Sequence, residues 1–276
     1  MVEAAVRPTG PYRLRLSSRR DVWRGALPGG AHAEAWQRDD GTVVVRAPDE
    51  AAVARARFML ALDDDTAEFH RRFARDRLLG PTARMLVGWR PLRLATVTHA
   101  LVRAVCGQLI ESRRARTIER AVARVCGSEV VTRDALRRLS PAQLCACDLS
   151  AARAATVVRL SRTVDLERLG EHATSAVAAR LSWERGIGPW SVGVIALEGL
   201  GRYDAGLIGD LGLVKLVSAL RARRAEAWET AELLAPYGEW QGLASELLLL
   251  GWTRGLIPGA DPDVARRTRL RTRRAA

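Results

Sequence analysis

The hydrophobic period of this chain changes once, near Pro48, and that change limits the folds open to it. Residues 11–48 read as strands: Pro11–Ser18 and Thr42–Pro48 carry alternating or continuous β-type residues, and Asp39-Asp40-Gly41 signals a turn ahead of the second. Beyond Pro48, Ala52, Val53, Ala56, Phe58, Met59, Leu60 and Leu62 fit a helix that opens at Asp49-Glu50 and stops at Asp63-Asp64-Asp65. The acidic triplet reads as a solvated turn, with Asp65 or Thr66 capping the next helix, rather than as a metal site. After Pro91 the 3–4 spacing of amphipathic helices runs almost to the end, with Gly, Pro or Ser in short loops between them. The expected fold is mainly α: a small α/β domain over residues 1–93, a helical bundle over 94–258 and a basic flexible tail over 259–276.

A chain of 276 residues with 48% hydrophobic content can bury a proper core. No run of about 18 uncharged apolar residues occurs, so no membrane span is expected. The first residues show no apolar segment followed by a small-residue cleavage site, which leaves a cytoplasmic location as the expectation. Lys+Arg of 44 against Asp+Glu of 31 gives +13, a balance that favours a polyanion, nucleic acid before anionic membrane. The basic side is almost wholly arginine, which suits bidentate phosphate contacts, although genomic composition gives the same bias; Lys215 is the only lysine. Cys106, Cys126, Cys145 and Cys147 and the scattered His32, His70, His99 and His172 match neither a disulfide framework nor a zinc spacing. No metal and no cofactor are expected.

The most specific passage runs from Leu181 to Lys215. A helix ends near Trp183–Arg185, the turn is Gly186-Ile187-Gly188, and a new helix starts with Pro189 at or near its first position. Glycines on either side of an apolar plug let backbone N–H groups approach a phosphate closely. The following helix N-terminus brings positive dipole character to the same point. Taken alone, the turn is equally compatible with a tight αα connection. Twenty residues past Trp190, however, lies Asp210, at the start of another helix.

In this combination the chain resembles the helix-hairpin-helix DNA glycosylases, and most closely the 3-methyladenine DNA glycosylase II branch. Leu181, Gly186-Ile187-Gly188, Trp190 and Ser191 match that family's hairpin, and Asp210 follows at the family's spacing. Ala104-Val105-Cys106-Gly107-Gln108-Leu109-Ile110 resembles its loop that wedges into the DNA stack; the likeness covers roughly residues 95–256. It implies a helical bundle carrying the hairpin, acting on duplex DNA with damaged bases, as a monomer and without a cofactor. Asp210 is then the catalytic carboxylate, Leu109 with Gln108 the wedge, and Gly186, Ile187 and Gly188 the phosphate grip. Trp190 and Trp240 would line the pocket for the extruded base, with Val194 where the branch has an aromatic, so pocket width is open. Asp204 is a rival acid, and Glu111 and His99 have no account from sequence.

The resemblance further implies that bifunctional relatives carry a hairpin lysine where this chain has Trp190. Lys215 lies five residues beyond Asp210, about 140° around a helix, so water is the expected nucleophile. No cysteine follows Cys147, so the C-terminal four-cysteine iron–sulfur cluster of some relatives is not expected. The expected activity is monofunctional release of damaged bases, alkylated purines first, in base excision repair. A non-catalytic hairpin DNA-binding protein, a glycosylase for mismatched pyrimidines or oxidised purines, and a regulatory protein with a fused recognition domain are the competing readings.

Overall fold

The computed structural model describes residues 1–108 and 111–262, which leaves Leu109 and most of the basic tail outside the described residues. Four strands, β1 (Val2–Val6), β2 (Val22–Ala26), β3 (His32–Gln37) and β4 (Val43–Ala47), form an antiparallel sheet in the order β1-β4-β3-β2. The valine run of β4 is buried throughout, because this strand lies inside the sheet between β1 and β3. The turn before it forms as expected: Gly41 takes φ +87° and Asp40 accepts the Thr42 amide at 2.9 Å.

Pro11–Ser18, expected as a strand, instead holds a short helix, α1 (Leu14–Ser18). The apolar alternation there is real, but Leu14 and Ser17, three apart, are the buried pair, and the Ser18 hydroxyl donates back to the Leu14 carbonyl. Arg13 pairs with Gly88, outside the sheet, so the segment has no strand to join. The strand β1, ahead of residue 11, was not anticipated.

α2 (Glu50–Met59) is capped by Asp49, whose carboxylate accepts the Ala52 amide at 2.8 Å, and it buries Val53, Ala56 and Met59. The rest is helical: α3 (Ala67–Phe73), α4 (Gly80–Met85), α5 (Val97–Gly107), α6 (Ser112–Val125), α7 (Arg133–Arg137), α8 (Pro141–Cys145), α9 (Ala151–Thr163), α10 (Thr174–Ser182), α11 (Pro189–Val194), α12 (Leu211–Arg221), α13 (Glu229–Leu234) and α14 (Gln241–Arg254). The end of α11 runs directly into a wider π-type turn over Ile195–Leu200.

One apolar core lies under the sheet and gathers residues from Val6 to Leu62 with Ala95 and Val130. The larger one runs from Phe69 to Ile257. The segment expected as one unit, 1–93, therefore contributes to both, because Phe69, Phe73, Leu79, Leu86 and Trp89 pack with the helices. The acidic triplet holds the two parts together and is not wholly solvated. Asp65 does accept the Ala67 amide, at 2.8 Å, but Asp64 is inward-facing, paired with buried Arg93 and accepting the Tyr203 hydroxyl. Arg90, fully buried, donates to the carbonyls of Thr9, Pro11 and Ala61. A buried guanidinium keeps its charge only where acceptors replace water, and these carbonyls do so.

Candidate active site

The hairpin is α10, the turn and α11. Glu184, buried just before the turn, receives Arg180 on one oxygen at 2.7 Å and Arg159 on the other, which fixes where α10 stops. Gly186 then takes φ +90°, a conformation that L side chains rarely adopt, and turns the chain so that Ile187 drops into the core. Gly188 caps α11 and Pro189 occupies its first turn, where the missing N–H costs nothing. Both glycines are exposed, and first-turn amides have no acceptor within the helix. Within the turn the Ile187 amide donates to the Glu184 carbonyl at 3.0 Å, and the two glycines on either side of it lie at the surface.

α5 is fastened to this hairpin helix along its length. Its last residue, Gly107, lies against the Trp190 ring so closely that a Cβ there would sit 2.6 Å from the indole. Two turns earlier Ala100 occupies the space a Cβ on Gly199 would need, at 2.7 Å. Between these points Arg103 bridges Glu198 of the hairpin helix and Glu119 of α6. Glu119 also accepts from His99 Nε2 at 3.1 Å and from Arg116 at 3.0 Å. Burial alone would raise the Glu119 carboxyl, but the His99 hydrogen bond and the Arg103 and Arg116 charges outweigh it and hold the group well below the usual carboxylate range. His99, unexplained by sequence, thus belongs to a buried ionic knot under the site. Cys106 next to it has its thiol pushed up to about 12 by burial, which marks it as packing rather than chemistry.

Gln108, expected beside the wedge, is held inward. Its amide donates to the Gly186 carbonyl at 2.6 Å and to the Ser191 hydroxyl at 3.0 Å, while Arg153 donates to its backbone carbonyl at 2.6 Å. Gln108 is therefore tied by its side chain to the hairpin turn and to the first turn of α11.

Asp210 follows Gly209, which is itself at φ +82°, and forms the N-cap of α12. Its Oδ1 accepts the amides of Gly212 at 2.7 Å and Leu213 at 3.2 Å. Its Oδ2 accepts the Trp190 indole N–H at 3.1 Å. A capping carboxylate at a helix N-terminus is favoured electrostatically, and the two sets of bonds fix the plane of the group, with the second lone pair of Oδ2 making no hydrogen bond among the described residues. Trp190 and Asp210, twenty residues apart in sequence, are thereby brought together. Lys215 is exposed on α12, past its first turn.

Trp240 and Val194 make no hydrogen bond to Asp210 among the described residues. Trp240 stacks on Tyr203, with ring centres 5.8 Å apart, and the two border a shallow hollow of about 410 Å3 with Arg202, Asp204 and Glu239. Neither Trp190, Asp210 nor Val194 borders that hollow. Val194 is buried in the main core. Asp204 is exposed. The sequence reading passed over Leu211, which follows Asp210 and is 49% exposed, and Trp228, 61% exposed in the segment that packs on Gly209. Trp183, at the end of α10, is 87% exposed. Their signal was present, an apolar residue off the buried face of its helix, but one tryptophan among eight carries no such label in sequence.

Among the described residues no group of His, Cys, Asp and Glu is placed to hold a metal ion, and no helix is long and apolar enough to cross a membrane. No protein-family model matches the chain. A curated relative, the DNA-3-methyladenine glycosylase of Bacillus subtilis, is 24% identical over 201 residues, 67% of this chain. The matched stretch spans 66% of that protein, just under two thirds of its length. Among solved structures, a 3-methyladenine DNA glycosylase from Archaeoglobus fulgidus superposes with a TM-score of 0.75 at 19% identity, covering 92% of this chain and 98% of that one. An 8-oxoguanine glycosylase/lyase from Clostridium acetobutylicum, bound to double-stranded DNA with cytosine opposite 8-oxoguanine, gives 0.69 at 16% identity over 92% and 98%. The fold is that of the helix-hairpin-helix DNA glycosylases, mainly helical with a small antiparallel sheet, and the likeness drawn from the hairpin residues holds at that level.

Proposed function

We propose, from the premise that this chain carries the helix-hairpin-helix DNA glycosylase fold, that it is a monofunctional DNA glycosylase of base excision repair, releasing damaged bases from duplex DNA, alkylated purines first. The observation that carries the proposal is the Trp190–Asp210 pair: a carboxylate fixed at a helix N-terminus and bonded to the first turn of the hairpin's second helix, with Gly186, Ile187 and Gly188 proposed as the phosphate grip. Breaking the bond between C1′ and the base nitrogen leaves positive charge on the deoxyribose as the base departs. A preorganised carboxylate beside C1′ stabilises that charge and accepts a proton from the water whose oxygen adds to C1′. The base must first leave the stack, at a cost of a few kcal/mol that is least for a weakened pair. Leu109 is the proposed wedge, with Gln108 anchoring its loop to the hairpin.

Water as the nucleophile is supported by the side chains at hand. A glycosylase that also cuts the strand uses an amine to form a Schiff base with the sugar; here an indole, Trp190, holds Asp210, and Lys215 is exposed past the first turn of α12. A purine alkylated at N3 or N7 is cationic, and an aromatic face attracts a cation by roughly 0.5–2 kcal/mol, the role proposed for Trp190. The likeness to an 8-oxoguanine glycosylase/lyase favours a second reading, an oxidised purine as substrate. We propose action as a monomer in the cytoplasm, in contact with the nucleoid.

The test is to incubate the protein with randomly methylated duplex DNA and identify the bases released, with Asp210→Asn alongside. Methylpurine release, lost in the variant and without strand breakage until base or heat is added, is the expected result. Release of oxidised purines only would move the substrate class, and prompt strand breakage would remove the water mechanism. Binding without any release would make the chain a DNA-binding protein.

A further inference from the structure

The turn that carries Gly186 also walls a second concavity, outside the Trp190–Asp210 site. A cleft of about 610 Å3 lies between α9 and the hairpin, bordered by Gln108, Arg153, Thr156, Arg159, Arg185 and Gly186. Three of these six are guanidiniums and none is a carboxylate. Glu184, the acid paired with Arg159, is buried and shared between Arg159 and Arg180. Arg153 commits one nitrogen to the Gln108 carbonyl. Arg185 is exposed, and its side chain makes no hydrogen bond or ion pair among the described residues.

The arrangement is periodic. Ala152, Ala155 and Arg159 follow each other at helical spacing on an exposed face of α9, so the wall nearest the cleft carries methyl groups and then a guanidinium. Small side chains let a polymer backbone come close, and like charges around a low-dielectric cleft focus an attractive field on an anion. Guanidinium groups also match phosphate oxygens two at a time.

We infer that this cleft is a second phosphate-binding site, which takes the DNA strand held at Gly186 and Gly188 where its backbone continues past the hairpin, with Arg153, Arg159 and Arg185 as its contacts. The inference rests on the DNA reading above, and it adds an electrostatic site on side chains to the grip made by backbone amides. Because Gly186 belongs to both, one strand can occupy them together.

The experiment measures binding of a fluorescent undamaged duplex by anisotropy from 50 to 200 mM salt, so that no catalysis is needed. Each phosphate contact contributes about 0.9 to the slope of log affinity against log salt. Arg185→Ala, an exposed change that threatens no packing, is expected to make the slope about 0.9 shallower, which is about eightfold weaker binding at 0.1 M. Arg153→Ala with Arg185→Ala is expected to make it about 1.8 shallower, about sixtyfold weaker at 0.1 M, while Arg153→Lys with Arg185→Lys keeps the slope. A steep wild-type slope left unchanged in Arg185→Ala and in the double alanine variant overturns the cleft and leaves the hairpin reading standing. Failure of the wild type itself to bind duplex overturns both, so the two failures are read apart.

Discussion

Replacing Asp210 separates two tasks that its two oxygens perform. Oδ1 caps α12 through Gly212 and Leu213, and Oδ2 takes the Trp190 indole N–H. Asparagine caps nearly as well as aspartate, whereas alanine does not, at a cost of about 1–2 kcal/mol. Asparagine does lose the charged acceptor for Trp190; a hydrogen bond to a charged group is worth about 1.5–3 kcal/mol, and the half-buried indole places this one near the lower end. Asp210→Asn should therefore destabilise by about 1.5 kcal/mol, and Asp210→Ala by about 1–2 kcal/mol more, with melting about 2–4 °C lower per kcal/mol. Rate should follow charge instead of cap: loss of a preorganised electrostatic contact costs about 100- to 1000-fold. Both variants should lose base release to that extent in single-turnover assays on methylated duplex, despite their different melting points. Trp190→Phe keeps the carboxylate, so it should lose stability much as Asp210→Asn does but retain more of the rate. An Asp210→Asn protein releasing bases at more than a tenth of the wild-type rate would refute the catalytic assignment, whatever its stability.

Three further outcomes follow from the same geometry. Gly188→Ala should leave the urea midpoint unchanged, since its φ of −101° is ordinary and a Cβ meets nothing within 4 Å, yet weaken duplex binding by putting a methyl where phosphate approaches; Gly186→Ala, at φ +90°, should cost about 1–2 kcal/mol of stability. Gln108→Ala should slow base release at saturating protein without changing the salt slope, because Gln108 positions the loop through Gly186 and Ser191; a changed slope would instead mean that it meets phosphate. Glu119 carries a pH signature: its folded carboxyl titrates below the unfolded value of about 4.3, so the folded state binds fewer protons and its stabilisation is fully present above that pH and lost as pH falls through the folded value. Urea midpoints between pH 3 and 7 should show an acid limb that flattens in Glu119→Gln, and a limb of equal steepness would assign it to other carboxylates.

Much of the candidate site's backbone could be read along the chain because it is local. Gly186, Ile187, Gly188 and Pro189 are a turn and a helix start in any surroundings, and Asp210 after Gly209 is a cap by the same short-range chemistry. The helical period after Pro91 fixed the class of the bundle, and the charge balance pointed to a polyanion. Long-range contacts were not legible. Nothing in the spacing of Gln108 announces that its amide turns back onto Gly186, nor that Asp64 leaves its solvated turn for Arg93 and Tyr203. Pro11–Ser18 has a strand's alternation but no strand partner, and pairing, which is a property of the sheet, decided against it. The stack of Trp240 on Tyr203, thirty-seven residues apart, is likewise a contact that no spacing announces. Sequence alone set the backbone conformations that glycine, proline and capping residues impose over three or four positions. Only the tertiary structure decided which distant side chains meet, because hydrogen bonds and burial act through space and have no period along the chain.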